Sequence, residues 1–345
     1  MAEVNEKVLK NKDEHLKEYV LGIDKYIEKL KSESYEKREA FFKDFAENIP
    51  KYRDKYRKML GIDAFEKCTK AGEKTYICDN DLCSIYRIKI YITDEIPFYS
   101  ILLVPKSAEG SMPLVIAQHG GGGTSELCCD LEGKNNYSLM ATRALKRGAA
   151  VLAPQLMLWA KEESDTSRGH KVDFDRHGAD RSLKHFGSSI TALEIAGILK
   201  SLDFALECDN FDRENILMIG LSYGGYFTLH TMAADDRIKA GYAAGFFNDR
   251  NRYDWQDWCY QNSGNTFHDA EVAALCAPRK LFIQVGKDDK VFGFESAISE
   301  AERAKEYYKA AGCEENFVFS LWEGGHTVSP DDDGYDFIFG SDKNV

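Results

Sequence analysis

The sequence predicts an α/β protein, a mostly parallel sheet with helices on both faces. Three observations carry this. From about residue 113 onward, short apolar strand-like runs alternate with helical stretches, the order expected of a parallel sheet with crossover helices. One run, Asn215 to Leu221, ends in Gly220-Leu221-Ser222-Tyr223-Gly224, with a helical segment from Tyr226 to about Met232 behind it. Two later runs end in polar segments that carry carboxylates and a histidine.

In chain order, residues 1–60 hold 15 Lys/Arg and 13 Asp/Glu, so this part is nearly neutral. Leu16, Val20, Ile23, Ile27 and Leu30 recur at spacings of 4, 3, 4 and 3, one apolar face of a helix. That face is expected to pack on the main domain; a lid or a dimer contact is the alternative. A second helical stretch is expected from about Tyr35 to Leu60, broken near Pro50, with Gly61 as C-cap. Ser84 to Ile92 alternates with period two, and Phe98 to Val104 follows the Pro97 turn, an antiparallel pair. Strands are further expected at Pro113–Gln118, Ala149–Pro154, Lys239–Gly245, Arg279–Val285 and Phe317–Trp322. Helices are expected at Asn136–Arg147, Ser188–Leu206 and Ser296–Ala311. The division is an N-terminal helical extension over residues 1–74 and a catalytic domain over 75–345. Insertions at about 156–187 and 247–275 follow strand C-termini, where open α/β sheets build binding crevices. The second is rich in aromatics without core periodicity, and Trp255 and Trp258 are its candidate substrate-binding residues.

The charge balance, 45 Lys/Arg against 57 Asp/Glu, argues against nucleic acid and anionic lipid as partners. Nine cysteines without framework spacing suit a reducing compartment. With no secretory h-region and no apolar run of membrane-spanning length, the expectation is a cytoplasmic protein that binds neither membrane nor nucleic acid. No nucleotide-binding glycine pattern and no metal cluster with ligand spacing is present, so no cofactor and no metal are expected. Asp173, Asp175 and His177 read as a solvated loop, and Asp331-Asp332-Asp333-Gly334 lacks the rest of a calcium loop.

Gly-x-Ser-x-Gly between strand and helix is the setting of a nucleophile elbow, which lifts the Ser222 hydroxyl above the sheet edge. An acyl-transfer serine needs a base, an orienting carboxylate and an oxyanion hole. Asp288 and Asp289 follow one strand, His326 follows the last, and His119 opens a Gly120–Gly123 run after another. His119 is expected to orient that loop rather than act as base. The order Ser222, Asp289, His326 is that of α/β-hydrolases, and the Tyr223 N–H, next after the nucleophile, is the expected first oxyanion donor.

The motifs Gln118-His119-Gly120-Gly121-Gly122-Gly123, Gly220-Leu221-Ser222-Tyr223-Gly224-Gly225, Gly286-Lys287-Asp288-Asp289 and Gly324-Gly325-His326 resemble those of the α/β-hydrolases of the dienelactone hydrolase and acetyl xylan esterase-like group. The resemblance covers roughly residues 75–330 and, weakly, Tyr56–Gly61. It implies an eight-stranded fold and ester hydrolysis by a serine nucleophile, and it selects Asp289 over Asp288 as the acid. A second oxyanion N–H is expected from the glycine loop, Gly121 first and Gly122 as alternative. The implied partner is a small-molecule ester, acetyl esters of carbohydrates among the candidates; a homo-oligomer is left open. A prolyl-oligopeptidase-like peptidase and a non-catalytic binding protein are the competing readings, weakened respectively by the absence of room for a propeller and by the complete triad.

Overall fold

The computed structural model of the chain describes residues 2–107, 110–133, 135–159 and 170–340. Nine strands form one sheet: β1 (Glu73–Asp79), β2 (Cys83–Thr93), β3 (Ile96–Pro105), β4 (Met112–Gln118), β5 (Ala150–Pro154), β6 (Phe211–Leu221), β7 (Ala240–Ala244), β8 (Lys280–Gly286) and β9 (Phe317–Trp322). Their spatial order is β1-β2-β3-β5-β4-β6-β7-β8-β9. The first three form an antiparallel meander, β3 joins β5 antiparallel, and every pairing from β5 to β9 is parallel. The expected count of eight is corrected to nine by β1, an edge strand whose side chains are almost all exposed and so carry no hydrophobic alternation.

Among the described residues the α-helices are α1 (Ala2–Leu9), α2 (Lys12–Phe42), α3 (Phe45–Leu60), α4 (Ser125–Cys128), α5 (Met140–Lys146), α6 (Arg176–His185), α7 (Ile190–Cys208), α8 (Tyr223–Ala234), α9 (Asp269–Cys276), α10 (Phe294–Ala310) and α11 (Asp333–Phe339). Two apolar clusters lie on the two faces of the sheet. One gathers α3, α7, α8, α9 and α10. The other gathers α4, α5 and α11. No helix among the described residues is long and apolar enough to cross a membrane.

The second helical stretch is broken near Pro50 as expected: Asn48, two residues before it, is non-helical (φ −129°), and Pro50 is accommodated as in a first turn. A further break falls at Lys43–Asp44. More important, only Ser34, Arg38 and Phe42 of α2 are buried. The Leu16 to Leu30 face does not pack on the main domain; all five of its residues are exposed. Gly61 does cap α3, with φ 82° and its N–H donated to the Arg57 and Lys58 carbonyls. There Ser188 and Ser189 donate to the carbonyls of Gly61 and Leu60, tying the end of α3 to the start of α7.

Candidate active site

Ser222 lies between β6 and α8 at φ 61°, ψ −120°, a backbone state that costs on the order of 1–3 kcal/mol for a non-glycine residue. The surroundings hold it there. Its N–H donates to the Ala244 carbonyl at 2.8 Å. A Cβ on Gly220 would stand 2.2 Å from the Gly224 carbonyl oxygen, and one on Gly224 2.1 Å from that of Gln118. Both positions therefore require glycine for the strand and helix to meet.

Asp289 and His326 are brought together. His326 Nδ1 lies 2.7 Å from Asp289 Oδ2. The other carboxylate oxygen accepts the N–H groups of Val291 (2.7 Å) and Phe292 (3.0 Å). The Asp289 side chain is wholly buried, while that of His326 keeps 23% exposure. Asp288, the rival acid, is exposed. The His326 ring lies against Gly245, where a Cβ would come within 3.4 Å of its Nδ1 and Cε1. Gly245 directly follows Ala244, the acceptor for Ser222, so serine and histidine flank one corner after β7. No hydrogen bond joins Ser222 Oγ to His326 Nε2; nucleophile–base contacts commonly tighten only with substrate bound.

The glycine loop is built around His119, which is fully buried. Its Nδ1–H donates to the Gly120 carbonyl at 2.9 Å, and its Nε2 accepts the Leu156 N–H at 2.9 Å. Both nitrogens thus serve the backbone. Burial pushes the imidazole pKa down to about 4, with the Gly120 carbonyl opposing. His119 is a neutral scaffold for the loop, as expected. The Gly120 N–H donates to Tyr137 Oη at 2.9 Å, and Gly123 N–H closes a turn on the Gly120 carbonyl at 3.0 Å. Gly121 and Gly122 are the central residues of that turn, with Gly122 at φ 63°. The N–H groups of Gly121, Gly122 and Tyr223 meet no acceptor among the described residues.

A three-residue segment joins this loop to the histidine loop. Tyr137 holds Gly120, Asn136 Nδ2 donates to the His326 carbonyl at 3.2 Å, the Asn136 carbonyl accepts the Val328 N–H at 3.0 Å, and Ser138 Oγ donates to the Val328 carbonyl at 2.6 Å.

An aromatic wall stands around the Tyr223 ring. Trp255 stacks on it at 5.7 Å, and Trp159 meets it edge-on at 4.9 Å. Trp159 also covers the glycine loop: a Cβ on Gly121 would lie 2.0 Å from its Cζ2. Trp258, expected to line the pocket, is corrected to a supporting role. It is 3% exposed, sandwiched by Tyr226 (4.6 Å) and Phe292 (5.8 Å), with the Arg250 guanidinium 4.2 Å from its ring. Trp255 remains partly exposed.

The wall rests on buried charges that sequence reasoning missed. Tyr223 Oη donates to Asp257 at 2.9 Å. Arg176 bonds Asp257 through Nε at 2.7 Å and grips Glu194 with both terminal nitrogens, at 2.8 and 2.7 Å. Burial raises the Tyr223 phenol pKa, and the Asp257 charge raises it further. Burial also lifts the Glu194 carboxyl, against the pull of Arg176. The network joins both insertions to α7. Residues 160–169 of the first insertion lie outside the described residues. Asp175 is the N-cap of α6, accepting the Gly178 N–H at 2.8 Å.

No protein-family model matches the chain, and no curated protein does. Solved structures share its architecture. A putative acetyl xylan esterase from Bacteroides fragilis superposes with TM-score 0.65 at 15% identity, over 85% of this chain and 83% of that one. A methylesterase gives 0.67 at 21%, over 93% and 69%. A glucuronoyl esterase from Solibacter usitatus gives 0.57 at 12%, over 86% and 92%. At these identities the likeness is one of fold, and the chain has the α/β-hydrolase fold.

Proposed function

We propose that the protein is a serine hydrolase of carboxylic esters with small acyl groups, acting through Ser222, His326 and Asp289. The observation that carries this is the Asp289–His326 pair: a buried carboxylate, fixed by two backbone N–H groups, orients a partly exposed imidazole near a serine held in the elbow conformation. Asp289 holds the proton on Nδ1, leaving Nε2 free to accept. Ser222 Oγ attacks the ester carbonyl carbon as its proton passes to His326 Nε2. The tetrahedral oxyanion is met by the N–H groups of Tyr223 and Gly121. Collapse expels the alcohol, which takes the proton from His326 and leaves an acyl-serine. Water, deprotonated by His326, then releases the acid and restores Ser222.

A carbohydrate ester is the substrate class we favour. Trp159 presents an indole with 45% of its area exposed beside Gly121, a surface on which the apolar face of a sugar ring stacks. The named activities of the structures with this fold support that choice. Nine unpaired cysteines support a reducing, cytoplasmic setting.

The test is hydrolysis of p-nitrophenyl acetate, butyrate and octanoate beside proline p-nitroanilide, with Ser222→Ala as control. Ser222-dependent turnover that falls beyond acetate is expected, followed by acetate release from acetylated sugars. Cleavage of the proline amide in preference to the esters would move the protein to the peptidases. Folded protein silent on every ester would sink the reading.

A further inference from the structure

Among the described residues the apolar stripe of α2 has no partner. Leu16, Tyr19, Val20, Ile23, Tyr26, Ile27 and Leu30 are between 39% and 70% exposed. Burial on this helix begins only at Ser34. There the helix is locked to the body: Ser34 Oγ donates to the Gly264 carbonyl, and buried Arg38 bonds the His268 ring and pairs with Glu271. The outer part is thus an overhang held by a rigid root.

We infer that the stripe docks on the same stripe of a second copy of this chain, forming a two-stranded coiled coil. The 4-3-4-3 spacing averages 3.5 residues, the period of a left-handed coiled coil rather than the 3.6 of a helix lying on a globular core. It places β-branched Val20 and Ile27 at the a positions and Leu16, Ile23 and Leu30 at d, close to the side-chain choice that selects two strands. Tyr19 and Tyr26 border the seam.

Charge and area fit this occupant. Residues 12–33 carry five lysines and six carboxylates, so two copies meet there without the repulsion of a −12 body. That balance lacks the lysine and arginine excess with which a surface helix seeks anionic lipid. At the observed exposures the seven side chains offer on the order of 700 Å² per copy, so a symmetric pair hides at most about 1,400 Å², which reaches the range of stable interfaces when the bordering tyrosines are covered too. The root at Arg38 and Phe42 already holds the helix, which lessens the ordering cost that makes short isolated coils marginal.

Sedimentation equilibrium of the full chain at tens of micromolar should give twice the 39.1 kDa chain mass. Ile23→Asp with Ile27→Asp should give the single-chain mass with an unchanged far-UV spectrum and Tm, since both side chains face solvent in one copy. Glu18→Ala with Lys25→Ala, on the outer face, should leave the dimer intact. A single-chain mass for the wild type, a dimer that survives the paired aspartates, or a mass of three or four copies would each overturn the inference. Capture of the single-chain form by phosphatidylserine vesicles would assign the stripe to lipid instead.

Discussion

On one side of Ser222 the serine, the Asp289 carboxylate and the scaffold of the glycine loop are fixed by main-chain hydrogen bonds; on the other, the Tyr223 ring rests on side chains. Asp289 is held by the N–H groups of Val291 and Phe292, His119 by Gly120 and Leu156, and Ser222 by Ala244. The wall depends on Asp257, Arg176 and Glu194, three buried charges on three elements. Backbone-held groups tolerate change around them and fail when they themselves are altered. A wall built on buried charge fails when any one charge is removed, because its partners are left unpaired in low dielectric.

The sharpest way to break this comparison is at the acid. Asp289→Asn should lower kcat about 10⁴-fold while Asp288→Asn stays within about twofold, measured on p-nitrophenyl acetate. Equal losses would place the acid wrongly. Next in size, Arg176→Met should cost about 3–5 kcal/mol in denaturant unfolding, because Glu194 and Asp257 lose their shared cation. A loss below 1 kcal/mol would mean that the network is not what holds the wall.

A smaller effect separates the loop from the wall by pH. The folded pKa of His119, about 4, lies below the ordinary 6.5. Its contribution is therefore present above pH 6.5 and is lost as pH falls toward 4, by about 3 kcal/mol in all. His119→Gln, which cannot titrate, should lose correspondingly less stability over that window in denaturant titrations. Parallel pH curves for the two proteins would remove the buried imidazole from the account. Smallest, Trp159→Ala should raise KM about tenfold for an acetylated sugar and change kcat for p-nitrophenyl acetate less than threefold, a split expected of a group that binds without touching the reacting bond.

What the sequence made legible follows the same division. Ser222, Asp289 and His326 stand at strand ends, where a local motif dictates the turn and the turn dictates the side chain's place. The choice of Asp289 over Asp288 rested on resemblance, and burial gives it a physical ground. The wall was not legible. Arg176 and Asp257 are 81 residues apart, and each is one charge among many in a polar segment. Trp258 lacks core periodicity because stacking on Tyr226 and Phe292, not a helix or strand period, buries it. Edge strand β1 had no hydrophobic face to betray it. For α2 the period revealed an apolar face and could not say what covers it.

The segment Asn136–Ser138 ties the glycine turn to the carbonyls on either side of Thr327. A shift of either loop is therefore passed to the other, and their spacing varies less than either position alone. In the proposed mechanism the Gly121 N–H and His326 are then parts of a single jig whose tolerances are set away from the wall. On that reading, replacements among Trp159, Trp255 and their neighbours redirect which ester is held without retuning the chemistry proposed to cleave it.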